Sequence, residues 1–356
     1  MRRSPTAVHA EMSLFQSLAD DRRTPVFVLT GFLGSGKTTL LNRLLRSPGA
    51  ADTAVIVNEL GEIALDHLLV ERIDGEVALL RSGCVCCAVR SDFEQTLREL
   101  LARRDEGSLP NFGRVVIETT GLADPAPLLQ SVDANPLLAA FVRLGAVITT
   151  VDAVHAAGQL DRQWEARKQV LLADWLLLTM TDLAAADGAE PALSNRLRSM
   201  NPQAQIADAP SADLHALLEP RTTHPTLERA VGLLAGQPIG SRHGDVTSAA
   251  LQHDRPLDWM ALQQWLRELR ETAGEGLLRL KGIVRVSDES HPLLLHGVQH
   301  RFHPPVTAPG LDWPAGRSAL VLITRGLDLA PWADSFATLG ATSTTPATPA
   351  AATPES

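Results

Sequence analysis

The stretch that decides the fold reads Val26-Phe27-Val28-Leu29-Thr30-Gly31-Phe32-Leu33-Gly34-Ser35-Gly36-Lys37-Thr38-Thr39, continuing into Leu40-Leu41-Asn42-Arg43-Leu44-Leu45. The run from Val26 to Leu29 predicts a buried strand, and the run from Thr39 to Leu45 predicts a helix. Between them, Gly31 to Thr38 fits G-x-x-x-x-G-K-[ST] in the strand-loop-helix context that a phosphate-binding loop requires. Gly31, Gly34 and Gly36 let the backbone N–H groups, Ser35 and Thr39 included, curl around phosphate oxygens. Lys37 can reach the β and γ phosphates, and the Thr38 hydroxyl suits Mg²⁺.

Outward from this loop, short apolar runs alternate with helical stretches: Ala54 to Val57, Val77 to Leu80, Val115 to Ile117, Ala146 to Ile148 and Trp175 to Leu178. Such runs predict an α/β domain whose mainly parallel sheet is covered by helices on both faces, over residues 24–209. Two of them end in polar residues placed for nucleotide chemistry. Glu118 closes Val115-Val116-Ile117 and is expected beside the magnesium shell, with Gly121 allowing the backbone close to the γ-phosphate. Thr179 and Asp182 follow Leu176-Leu177-Leu178. There a carboxylate can accept the N1–H and 2-amino hydrogens of guanine, a donor pair that adenine lacks. The competing reading makes Asp182 the N-cap of the next helix.

All three cysteines lie in Gly83-Cys84-Val85-Cys86-Cys87. Neighbouring cysteines cannot close a comfortable disulfide, whereas thiolates at this spacing suit a soft ion, Zn²⁺ first and Co²⁺ next. Three sulfurs leave a tetrahedral shell one ligand short. Glu59, in Asn58-Glu59-Leu60-Gly61-Glu62-Ile63, is the favoured fourth because it leaves a strand at the sheet's C-terminal edge; Glu62 and His67 are further candidates. Both segments fall between the phosphate loop and Glu118, so metal and nucleotide occupancy are expected to be coupled. Arg81 and Arg90 flank the cysteines and read as solvated neighbours.

The remaining chain divides simply. Residues 1–23 read as a loose leader with a short helix near Glu11 to Leu18. Residues 210–255 read as a linker, 256–338 as a small α+β domain and 339–356 as a low-complexity tail. In the second domain, Leu257 to Leu269 carries Leu262, Trp265, Leu266 and Leu269 at helical spacing. Leu277 to Val286, Pro292 to His296 and Ser318 to Thr324 read as strands. Its histidines, among them His253, His291, His296, His300 and His303, read as core or surface groups of a partner-docking domain rather than as a second metal site.

These motifs resemble the CobW-type family of P-loop GTPase metallochaperones, related to those that load nickel enzymes. The resemblance runs from Thr24 to Pro305 through Gly31 to Thr39, Asn58 to Ile63, Gly83 to Cys87, Glu118-Thr119-Thr120-Gly121-Leu122-Ala123-Asp124-Pro125 and the base motif ending at Asp182. Leu278-Arg279-Leu280-Lys281-Gly282-Ile283 and His296-Gly297-Val298-Gln299-His300 extend it to the second domain. It implies hydrolysis of GTP with Mg²⁺, Zn²⁺ or Co²⁺ as cargo held by Glu59, Cys84, Cys86 and Cys87, and delivery to a client metalloprotein. Met180 stands where the family has Lys. Two other functions fit the motifs: a P-loop ATPase or phosphotransferase with a structural zinc, and a nucleotide-timed metal sensor.

Composition narrows the partners. Against 32 basic residues stand 41 acidic ones, a formal charge of −9 that argues against a phosphate-backbone binder. No apolar run approaches the ~18 residues of a bilayer span, and Met1-Arg2-Arg3-Ser4-Pro5 opens no secretion signal, so the expected setting is cytoplasmic. A homodimer is compatible with these features and specified by none of them.

Overall fold

The computed structural model describes residues 15–17, 21–47, 52–57, 79–81, 89–184, 190–219, 230–232, 241–243 and 245–340. In chain order, β1 is Gln16–Ser17 and β2 Thr24–Gly31, followed by α1 (Lys37–Leu45), β3 (Thr53–Val57), β4 (Leu79–Arg81), α2 (Val89–Asp105) and β5 (Arg114–Glu118). Helices α3 (Ala126–Ala134) and α4 (Pro136–Ala139) lead to β6 (Val142–Asp152), then α5 (Ala156–Arg162), α6 (Trp164–Leu172) and β7 (Trp175–Thr179). Helices α7 (Thr181–Ala184) and α8 (Glu190–Met200), β8 (Gln205–Asp208) and α9 (Leu214–Leu217) complete the first unit.

Strands β4-β3-β5-β2-β6-β7-β8, in that order, form a seven-stranded sheet in which every pairing is parallel. The chain leaves β2 towards β3 on one side and later builds β6, β7 and β8 on the other, so the phosphate loop sits at the point where strand order reverses. Ligands of open α/β sheets bind at such a point. Alternation along β2 explains the two covered faces: Val26 and Val28 pack with Leu97, Leu100, Leu129 and Val132 of α2 and α3, while Phe27 and Leu29 pack with Leu40, Leu41 and Leu44 of α1.

The second sheet has eight strands, β1-β14-β12-β11-β15-β10-β9 with β13 beside β12. Here β9 is Ser241–His243, β10 Val246–His253, β11 Leu277–Val284, β12 Leu293–Val298, β13 Arg301–Phe302, β14 Val306–Thr307 and β15 Ser318–Arg325. Helix α10 (Trp259–Ala273) starts where the Asp258 carboxylate accepts the Ala261 N–H at 2.8 Å and stops at Gly274, whose φ is 51°. Its buried stripe Leu262, Trp265, Leu266 and Leu269 covers one face of this sheet together with Phe336 of α11 (Ala330–Ala337). The other face sends Val246, Leu278 and Ile323 into the core beside α6 and α8.

Two expectations change. The leader contributes β1, which pairs in parallel with β14, and Phe15 stacks edge-on against Trp259 with centroids 4.9 Å apart, so an extended strand stands where a helix was expected. Val246–His253, placed in the linker, is a full strand hydrogen-bonded to β15 along its length. Its residues Val246, Ser248, Ala249 and Leu251 are buried; the stretch reads as linker because Pro, Gly and His crowd the sequence just before it. Residues 341–356 lie outside the described residues, and among those described no helix is long and apolar enough to cross a membrane.

Candidate functional site

The loop after β2 is shaped by three glycines in backbone conformations that side chains rarely adopt: φ is 146° at Gly31, 73° at Gly34 and 85° at Gly36. At Gly31 a Cβ would meet the Thr150 side chain at 2.3 Å and the Ser35 hydroxyl at 2.7 Å, so the motif's first glycine is required by packing as well as by backbone angle. Gly36 leads into α1 in a left-handed conformation with no side-chain cap, so the helix's first N–H groups are the kind of donors an anion can take up.

Side chains then fix the loop's geometry. The Ser35 and Thr150 hydroxyls share a hydrogen bond of 2.7 Å, and the Thr179 hydroxyl donates to the Ser35 carbonyl at 3.0 Å. Lys37 Nζ lies inside the loop, donating to the carbonyls of Gly31 at 2.9 Å and Phe32 at 3.2 Å. Burial pushes its pKa below the usual lysine value, and the Glu118 carboxylate opposes that shift. Thr38 Oγ1 donates to Glu118 Oε1 at 2.8 Å across the gap between α1 and β5. Lys37, Thr38 and Glu118, eighty residues apart in sequence, therefore meet in one place. Hydroxyl and carboxylate together form an all-oxygen donor pair of the kind Mg²⁺ selects.

Gly121 is pressed against the loop: a Cβ there would stand 2.8 Å from the Leu33 nitrogen and Cα. Next to it the Thr119 hydroxyl donates to that of Thr30 at 2.8 Å. Thr30, Thr119 and Thr150 were not singled out in the sequence. Their signal is a hydroxyl at the C-terminal end of each of three adjacent strands, where a core strand has no need of one.

On the other flank, Met180 takes a left-handed conformation (φ 56°) and its carbonyl accepts the N–H groups of Leu183 and Ala184, both at 3.1 Å. This hinge starts α7. Asp182 is exposed, and among the described residues its carboxylate accepts no hydrogen bond, so the helix-cap reading is not what its geometry shows. Thr39 is exposed at the start of α1.

Glu59, Cys84, Cys86 and Cys87 lie outside the described residues, as do Glu62 and His67. Their points of departure are described. Val57, the last residue of β3, is the register partner of both Glu118 on β5 and Arg81 on β4. Three strands thus end abreast, with Glu59 two residues beyond one end and Cys84 three beyond the next. Among the described residues no three His, Cys, Asp or Glu side chains gather into a group that could hold a metal. His253 sits between the carbonyls of Arg255 and Leu339, and His296 stacks on His303 with centroids 4.6 Å apart, so these are interior histidines.

Comparison with known proteins places this geometry. A family model described as CobW/HypB/UreG, nucleotide-binding domain, matches residues 25–208, and one described as the cobalamin synthesis protein cobW C-terminal domain matches residues 246–339. The zinc chaperone YjiA of Escherichia coli is 35% identical over 281 residues, covering 78% of this chain and 86% of its own. The zinc chaperone CobW of Pseudomonas aeruginosa is 30% identical over 380 residues, covering 94% and 96%. The crystal structure of the Zn(II)-bound YjiA GTPase from E. coli superimposes with a TM-score of 0.66 at 29% identity, over 90% of this chain and 99% of that one. With both domains matched in order and a phosphate loop that folds as its sequence requires, the chain belongs to the CobW/HypB/UreG family and carries the cobW C-terminal domain.

Proposed function

We propose that this protein is a GTP-hydrolysing metallochaperone that binds Zn²⁺ through Cys84, Cys86 and Cys87, with Glu59 as fourth ligand, and releases it to a client metalloprotein under control of the nucleotide. Co²⁺ is the alternative cargo. The relatives' names supply the precedent of zinc and GTP. The observation that carries the reading is the common row formed by Glu118, Val57 and Arg81. Two or three residues of chain reach at most ~10 Å, and neighbouring strands lie ~4.8 Å apart, so the candidate metal segments start next to the carboxylate that faces Thr38.

In this reading Gly31, Gly34, Ser35, Gly36, Lys37, Thr38 and Thr39 hold the phosphates, and Thr179 fixes the loop from behind. Asp182 accepts guanine's paired donors. Thr38 and Glu118 would hold Mg²⁺, which when bound neutralises charge on the β and γ phosphates. Gly121 lies where its peptide can report the γ-phosphate. Water and GTP give GDP and phosphate, and loss of the γ-phosphate frees the segments leaving β3 and β4, lowering metal affinity by the same factor by which metal favours the triphosphate.

The test is a competitive Zn²⁺ and Co²⁺ titration of metal-free protein with Mg-GDP or a non-hydrolysable Mg-GTP analogue, repeated on Cys86→Ser. A one-to-one site that tightens with the analogue and disappears in the variant is the expected result. Tight binding indifferent to nucleotide makes the cysteines a structural site and ends the carrier reading.

A further inference from the structure

The segment after Glu118 is held from behind by a residue that no nucleotide motif contains. Gln169, on α6, is almost fully buried, and its Nε2 donates to two carbonyls of one turn, Gly121 at 3.1 Å and Ala123 at 3.1 Å. The turn is closed by the Ala123 N–H donating to the Thr120 carbonyl at 3.1 Å. A grip on two carbonyls of a four-residue turn fixes its rotation, and therefore which face Gly121 turns to the backbone of Leu33. Because Gly121 packs so close to that backbone that a Cβ there would stand 2.8 Å from the Leu33 nitrogen, any rotation of the turn changes its distance from the phosphate loop.

The helix behind the grip has little freedom. The Thr149 hydroxyl donates to the Gln169 carbonyl at 2.9 Å, and Asn201 Nδ2 donates to the carbonyls of Val170, Leu171 and Ala173 at 2.8, 3.2 and 2.9 Å. Arg279 of the second sheet hydrogen-bonds the Leu172 carbonyl. Lys168, one residue earlier, adds an ion pair of 2.5 Å to Asp124, just past the turn. The Gln169 Oε1 is buried and accepts no hydrogen bond among the described residues, so the amide is held there by its donor end alone. A buried Gln with half its capacity unused is costly in a helix that packs against apolar neighbours, which argues that the two donated bonds carry its role.

We propose that Gln169 is a positioning residue for the nucleotide site, setting the Thr120–Ala123 turn so that Gly121 lies on the phosphate loop in the orientation that distinguishes triphosphate from diphosphate. This rests on the nucleotide reading above. It predicts an effect on discrimination rather than on affinity in general, because the diphosphate is held by Gly31 to Thr39, which Gln169 does not touch.

The experiment uses the full chain with Mg²⁺ and fluorescent GDP or a fluorescent non-hydrolysable GTP analogue, first on the unaltered protein and then on Gln169→Met and Gln169→Asn. Met keeps the volume and removes the donor; Asn keeps the amide but withdraws it by one methylene, and stands in if the first variant folds poorly. With two hydrogen bonds lost, analogue affinity is expected to fall about tenfold while GDP affinity stays within about twofold. Equal weakening of both nucleotides, or a lower melting temperature with the ratio unchanged, overturns the proposal and leaves Gln169 a packing residue. Failure of the unaltered protein to bind either nucleotide removes the nucleotide reading itself, a result distinct from either.

Discussion

Two buried polar regions of this molecule are built on opposite plans. At the C-terminal edge of the parallel sheet, Thr30, Ser35, Thr38, Glu118, Thr119 and Thr150 bond pairwise through hydroxyls and a single carboxylate. Between the two domains, full charges meet instead. Asp174, just before β7, pairs with Arg279 at 2.5 Å and with Lys281, while its other oxygen accepts the Val147 N–H at 2.8 Å. His296 and His303 stack close by, and Arg23 lies near His303. Hydroxyls are cheap to bury and can exchange one partner for a ligand oxygen; uncompensated ions cannot be left in an apolar interior. The first region is therefore able to bind and release, and the second is able only to fasten.

The sharpest way to break this contrast is to remove the shared anion. Burial alone would raise the pKa of Asp174, but Arg279 and Lys281 hold it far below the usual carboxylate range, so it is ionised at neutral pH. Asp174→Ala takes away the carboxylate that compensates the buried Arg279 guanidinium and is expected to destabilise the protein by about 3–5 kcal/mol. Chemical denaturation reads the loss. An unchanged midpoint would mean that the domains are fastened by their apolar contacts, Leu278 and Ile323 among them.

A slightly smaller effect comes from the same region through pH. Burial, with Arg23 nearby, lowers the His303 pKa to about 4 from an ordinary 6.5. The folded state thus binds this proton less readily than the unfolded chain, so the stability it contributes is complete above pH 6.5 and is lost as pH falls towards 4. The loss amounts to about 3 kcal/mol. Asp174 gives way only below its own ordinary value near 3.8, a separate window. His303→Phe should flatten unfolding free energy between pH 6.5 and 4, measured in urea; an unaltered slope would assign it to other groups.

In the exchangeable region the expected effects are on chemistry. Glu118→Gln keeps the hydrogen bond from Thr38 but removes the charge, so nucleotide hydrolysis should fall on the order of a hundredfold or more while GDP affinity and melting temperature change little. Hydrolysis that survives this substitution would move the magnesium ligand elsewhere.

The difference between the regions also decides what the sequence could reveal. Gly31 to Thr38 is local and its spacing is the chemistry, so loop, strand and helix were legible together, and Glu118 followed from its place at a strand end. The strands of the second sheet were legible where apolar runs were long. Val246–His253 was not, since Thr247, Ser248, Gln252 and His253 interrupt its pattern and only pairing with Ser318–Arg325 makes it a strand. Gln169 and Asn201 act on backbone carbonyls brought near by folding, and nothing in helix periodicity marks a residue with such a task. Asp174 and Arg279 are alike in this respect: each reads alone as a surface charge, and their partnership spans 105 positions.

Met180 offers the smallest effect and the finest separation of backbone from ligand. It is half-buried beside the exposed Asp182, and its left-handed φ of 56° costs about 1–2 kcal/mol for a residue with a long side chain. Met180→Asn suits that conformation and should raise unfolding stability by under about 1 kcal/mol, with no gain in guanine binding because it has no stem to lie along a base. Met180→Lys keeps both stem and backbone cost, so stability should hold while an added ammonium near the base improves GTP affinity by roughly a few-fold, less than a typical hydrogen bond to a charged group. With Asp182 as the proposed guanine acceptor, ATP affinity should not follow, since adenine would leave that carboxylate unpaired whatever stands at position 180. If Lys strengthened ATP and GTP alike, its charge would be acting on the phosphates, and the side of the loop facing Thr179 would have to be read as part of the phosphate site instead of the base site.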